Sequence, residues 1–230
     1  HTLYSALIES QPVYHNITDF SRSSFDIFSI CRKNGFLSHN APHCGLHVHV
    51  NRDSLGCNHD EVLNTCVNIL ILLDRHRNDI RRFTRRTSSS LREWGSILDV
   101  TNSGDEDIRA WIEDHSYDHD DRYTALNFTN SNTVEFRIFR GTLVRDTFIA
   151  TLQFVDNVCE YALTHTSDEC RNSEFVDLIN VHSYTQLNDY VVDARRLATR
   201  DQLGIPRIQS SHRNNFADRF DCTNPCEIVA

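Results

Sequence analysis

Two segments with polar groups on alternate positions constrain this chain more than any other feature. The first is Cys44-Gly45-Leu46-His47-Val48-His49-Val50; the second, much later, is Thr133-Val134-Glu135-Phe136-Arg137-Ile138-Phe139-Arg140. Side chains two apart on a strand share a face. One strand therefore presents His47 and His49 together, and the other presents Glu135 with Arg137. Val, Phe and Ile fill the opposite faces and require a core behind them. Two imidazoles, a carboxylate and a guanidinium on rigid strands are the raw material of a metal and phosphate site.

The remaining periodicity is helical. Asn58 followed three residues on by Glu61 is a capping-box pattern. Val62, Cys66, Ile69, Leu70, Leu73, Ile80 and Phe83 then recur at helical spacing, which predicts one helix from about 58 to 83. A shorter helix around Phe25 to Ile30 should end near Asn34-Gly35, and 99–121 should be a polar loop holding one short helix around Trp111. Residues 123–128 and 133–139 read as a hairpin across Thr129–Asn132. A long helix over about 146–163 should bury Phe148, Leu152, Val155, Cys159 and Leu163, with further helices at about 174–182 and 185–200. After Gly204 the period fades, giving a domain over 1–203 and an irregular tail over 204–230. The fold class is α+β, because the strands are too separated for a βαβ ladder.

Composition narrows the function. A net charge of −9 argues against a nucleic-acid binder that relies on a general basic field, and no apolar run is long enough to span a membrane. All but one of the 23 basic side chains are arginine, which stays charged when half-buried and grips carboxylates or phosphates in pairs of hydrogen bonds. Arg81, Arg82, Arg85 and Arg86 crowd one helix end, where they either complement the helix dipole or send one or two of their number to a bound anion. The acidic run Asp114–Asp121 reads as a solvated loop or, less simply, as metal ligands. Eight cysteines lack the density of a disulfide scaffold, so a reducing cytoplasm is expected; Cys222 and Cys226 leave a local disulfide open, and two sequons leave secretion open. The chain has no Met and no signal-peptide pattern at its start, so its N-terminus reads as a cut edge.

Taken alone, a His-x-His pair is equally a strand with two satisfied histidines, and Glu-x-Arg is commonly a surface pair. Their joint occurrence carries the case. Cys-Gly-Leu-His-Val-His-Val, an Arg-Arg pair closing the next helix, Arg122-Tyr-Thr-Ala-Leu-Asn127, and Thr-Val-Glu-Phe-Arg-Ile-Phe-Arg-Gly-Thr-Leu together resemble the amidoligase family over roughly residues 40–165. That family belongs to the glutamine synthetase and glutamate-cysteine ligase superfamily of carboxylate-amine ligases.

The resemblance implies a curved antiparallel sheet of the glutamine synthetase catalytic type with packed helices. It also implies an ATP-dependent ligase using Mg²⁺ or Mn²⁺, which joins a small-molecule or peptide carboxylate to an amine through an acyl phosphate. Carried over residue by residue, His47 and Glu135 match metal ligands, and Arg137 matches the arginine that meets the transferring phosphate. Arg122 matches a nucleotide-phosphate arginine, Arg140 does so more loosely, and His49 and Arg86 join them on the nucleotide side. The superfamily's first strand carries a Glu-x-Glu pair, and this chain begins after the point where that strand is expected. Two other classes compete. One is a zinc module using His43, Cys44, His47, His49, Cys57 and His59, whose spacing fits no standard finger. The other is an inactive interaction domain that keeps only the sheet.

Overall fold

A computed structural model describes residues 27–36, 45–116 and 123–202, with side chains described as far as Asp193. Arg122, His43, Cys44, the end of the acidic run, Cys222, Cys226 and the tail lie outside the described residues. The elements are α1 (Ile27–Lys33), β1 (Gly45–Asn51), α2 (His59–Arg75), α3 (Arg77–Thr84), α4 (Ser88–Trp94) and α5 (Asp105–His115). They continue with β2 (Leu126–Asn127), β3 (Thr133–Arg140), α6 (Arg145–Thr164), α7 (Ser167–Asn172), α8 (Phe175–Asn180) and α9 (Thr185–Gln202). Among the described residues the fold is a mixture of helices with a small three-stranded antiparallel sheet in the order β1-β3-β2, consistent with α+β but uncurled where a curved sheet was expected. No helix among the described residues is long and apolar enough to cross a membrane.

Helix α2 starts at the expected cap: Asn58 Oδ1 accepts the Glu61 backbone N–H at 3.0 Å, while Glu61 Oε2 accepts the N–H of Cys57, one residue before the cap, at 2.7 Å. It is buried on nearly every side from Val62 to Leu73, so it is a central helix rather than an amphipathic surface one. The expected single helix to residue 83 is interrupted at His76 (φ −104°, ψ 21°). There the imidazole turns inward, with Nε2 2.9 Å from Ser173 Oγ and the ring against Phe175, a tertiary attachment that the helical period does not report.

Behind the sheet, Phe139 of β3 meets Phe83 of α3 and Phe154 of α6, with ring centroids 6.4 and 6.3 Å apart, and Tyr190 of α9 closes the cluster by donating its hydroxyl to Phe83 O at 2.9 Å. Each such buried side chain contributes about 1.5–3 kcal/mol of hydrophobic stabilisation. Helix α6 packs against α2, α8 and α9 at once, which widens its buried arc and corrects the expected stripe. Leu163 is exposed, and Leu152 and Cys159 are half-buried. The expected strand over 123–128 shortens to Leu126–Asn127, because Ser96 captures the Tyr123 carbonyl and the Ala125 N–H in a separate bridge. Helices α4 and α7 were not expected; α7 nevertheless carries a capping box, Thr166 to Glu169.

Candidate active site

The functional side chains converge because of strand register. Across β1 and β3, His49 lies opposite Glu135, Val48 opposite Phe136, Leu46 opposite Phe139, and Gly45 opposite Arg140. Between those pairs His47 alone faces two residues of β3, Arg137 and Ile138, so β3 carries a bulge there. Opposed residues of an antiparallel pair share a face. The bulge therefore returns Arg140, an odd number of steps from Glu135, to the face that carries His47 and His49. On the other flank of β3, Asn127 lies opposite Glu135. The carboxylate thus sits on the central strand between an imidazole and an amide.

Glu135 is the hub. His47 Nδ1 lies 2.7 Å from its Oε1, Arg137 Nη1 lies 3.0 Å from both carboxylate oxygens, and Asn127 Nδ2 donates to Oε2 at 2.8 Å. Burial by itself pushes the carboxyl pKa up. The hydrogen bonds from His47 and Asn127 and the Arg137 charge outweigh it and hold the group at about 2. His49 stands further off, its Nε2 3.8 Å from Oε1 and its Nδ1 3.2 Å from Thr133 Oγ1. Both imidazoles remain more than a third exposed, whereas the carboxylate is 8% exposed, so the cluster opens to solvent through the histidines.

Arg137 spends Nη1 on Glu135, and its Nε is buried with no hydrogen-bond partner among the described residues. Its guanidinium lies 5.7 Å from the Tyr123 ring centroid. Gly95 permits α4 to end against this strand, since a Cβ there would sit 2.9 Å from Arg137 O.

The arginine cluster divides. Helix α3 ends at Arg85 in the left-handed region (φ 58°), and the reversal turns Arg86 toward the sheet, where Nε and Nη2 donate to Phe139 O at 3.1 and 3.0 Å. A Cβ on Gly45 would lie 2.5 Å from Arg86 Nη2 and 3.2 Å from His47 Nε2, so the missing side chain at 45 is what lets Arg86 approach His47. Arg81 bonds Ser88 Oγ, and Arg82 pairs with Asp79 on the surface. Arg122 lies outside the described residues.

Sequence reasoning missed two residues of this neighbourhood. Asn127 carries no alternation signal; its place depends on the pairing of β2. Arg52 donates to Phe128 O and Asn130 O at 2.8 and 3.2 Å and so fixes the β2–β3 turn from the end of β1.

The 2.7 Å between His47 Nδ1 and Glu135 Oε1 is a hydrogen bond as it stands, and it is close to the roughly 3 Å that separates neighbouring ligands on an ion with bonds of about 2.1 Å. A carboxylate held ionised suits Mg²⁺ or Mn²⁺, and these two residues fit as two adjacent ligands. No group of three or more His, Cys, Asp or Glu side chains is placed to hold a metal among the described residues. This bears equally on a divalent-cation site and on the zinc set, of which His43 and Cys44 lie outside the described residues.

A family model described as "Putative amidoligase enzyme" matches residues 13–159. No curated protein and no solved structure matches the chain.

Proposed function

The chain belongs to the amidoligase family, and from that premise we propose that it is an ATP-dependent carboxylate-amine ligase, joining a small-molecule or peptide acid to an amine through an acyl phosphate. The observation that carries this reading is the pairing of an ionised, buried Glu135 with an Arg137 whose buried Nε has no hydrogen-bond partner among the described residues. An unmet buried N–H costs about 1–3 kcal/mol, and a phosphate oxygen is a partner that would remove that cost. In this account Arg137 binds the transferring phosphoryl group while Glu135 holds the guanidinium in place. His47 and Glu135 would hold Mg²⁺ or Mn²⁺, which when bound offsets phosphate charge. Arg86, Arg140, His49 and Arg122 form the nucleotide side of the same face.

In the overall conversion the terminal P–O bond of ATP breaks as the substrate carboxylate oxygen bonds phosphorus. ADP leaves with the electron pair of the broken bond; the amine nitrogen then bonds the acyl carbon and gives up one proton to solvent, and phosphate leaves with its oxygen. The residues' work is positioning and charge neutralisation, and no nucleophilic side chain is required. We read β1 to β3 as part of a sheet of the glutamine synthetase catalytic type, in a protein of the cytoplasm.

The test is phosphate release from ATP in the presence of Mg²⁺ and panels of carboxylates and amines. The full chain is expected to release phosphate only when both an acid and an amine are supplied, and Glu135→Ala to lower the rate by at least about 100-fold with cooperative unfolding retained. Equal rates in the two proteins would overturn the proposal.

A further inference from the structure

Resting on the reading of Glu135 as a cation-facing carboxylate, we propose that Asn127 is a positioning residue that decides which oxygen of Glu135 is presented to the site. Strand register sets Asn127 directly beside Glu135, and both residues are buried. The amide cannot exchange its two ends freely, because Asn127 Oδ1 accepts the Thr129 N–H at 3.1 Å, which leaves Nδ2 aimed at Glu135 Oε2 at 2.8 Å. The turn that supplies the Thr129 N–H is itself clamped by Arg52.

The need for such a residue follows from the other contacts. The terminal torsion of a glutamate is broad and roughly two-fold, so the carboxylate plane is weakly fixed by its own chain. Arg137 Nη1 meets Oε1 and Oε2 at the same 3.0 Å and therefore does not distinguish them. Asn127 does: it ties Oε2 to the β2 side and leaves Oε1 facing His47 at 2.7 Å and His49 at 3.8 Å. Partners one step behind a metal ligand set its orientation, and their loss typically costs 10–100-fold in metal affinity.

The experiment measures Mn²⁺ binding to the full chain by electron paramagnetic resonance, alongside ATP binding in chelator without metal. Asn127→Ala is expected to weaken Mn²⁺ binding about tenfold while changing metal-free ATP binding less than about twofold, a split that general loosening of the fold would not give. Asn127→Leu keeps the volume, adds no charge and removes the donor to Oε2. It should weaken Mn²⁺ binding about as much, and it decides the matter if the Ala variant fails to unfold cooperatively. In a Glu135→Gln background, Asn127→Ala should add nothing. Parental Mn²⁺ affinity in both Asn127 variants, with Glu135→Ala impaired, overturns this inference and leaves the reading of Glu135 standing. A parent that binds no Mn²⁺, or a Glu135→Ala variant that binds it like the parent, overturns both.

Discussion

Glu135 is kept ionised by its neighbours, against the pull of its own burial, and that has a consequence for acid stability. Its folded pKa of about 2 lies below the ordinary 4.5, so the stabilisation is complete above about pH 4.5 and is lost as pH falls toward 2. The shift corresponds to something on the order of 3 kcal/mol. Denaturant unfolding should show Glu135→Gln less stable than the parent at neutral pH, with the gap closing in acid; a gap that persists unchanged would refute this account of the carboxylate. His47, Glu135 and Arg137 were legible in the sequence because alternation alone puts each pair on one face. The face occupied by Arg140 was not read, because it depends on a bulge opposite His47 whose one local sign is the adjacent apolar pair Ile138-Phe139 breaking the alternation. Asn127 was hidden for a related reason, since its partner comes from strand pairing.

Between α2 and α3, His76 behaves as a buried neutral group. Burial first, and then the charge of Arg75, hold its pKa below the usual histidine range, partly opposed by Asp79 and Asp177. A depressed histidine value means that the unfolded chain binds the extra proton, so this contribution is present above about pH 6.5 and falls away below it. The parent should lose thermal stability between about pH 7.5 and 5.5, and His76→Asn should lose distinctly less. The β2–β3 turn offers a second element-level check. Removing the Arg52 guanidinium leaves the Phe128 and Asn130 carbonyls without their donors, and Arg52→Ala should cost about 2 kcal/mol in denaturant unfolding. The sequence showed α2 and α6 through their periods. It did not show the break at His76, where the imidazole meets Ser173, far away in the chain.

At the scale of the whole molecule, α2 and α6 pack against each other, α6 reaches the sheet through Phe154 against Phe139, and α3 and α4 rest on β3. Leu72 of α2 is fully buried, so Leu72→Ala should destabilise by about 2–5 kcal/mol through lost transfer energy and the cavity left behind. Calorimetry checks the value, and a cost below about 1 kcal/mol would mean that this helix is not central to the core. The fold class was readable because hydrophobic period separates strands from helices. The breadth of each buried arc was not, as the exposed Leu163 shows, because it depends on how many neighbours a helix has. The site inherits its geometry from this packing: α3 delivers Arg86 and α4 backs Arg137. The most direct test of phosphate handling on this face is titration calorimetry of Mg·ATP against the parent and Arg137→Ala. The account predicts binding by the parent and at least about a tenfold loss in the variant; equal affinities, or a parent that binds no nucleotide, would contradict it.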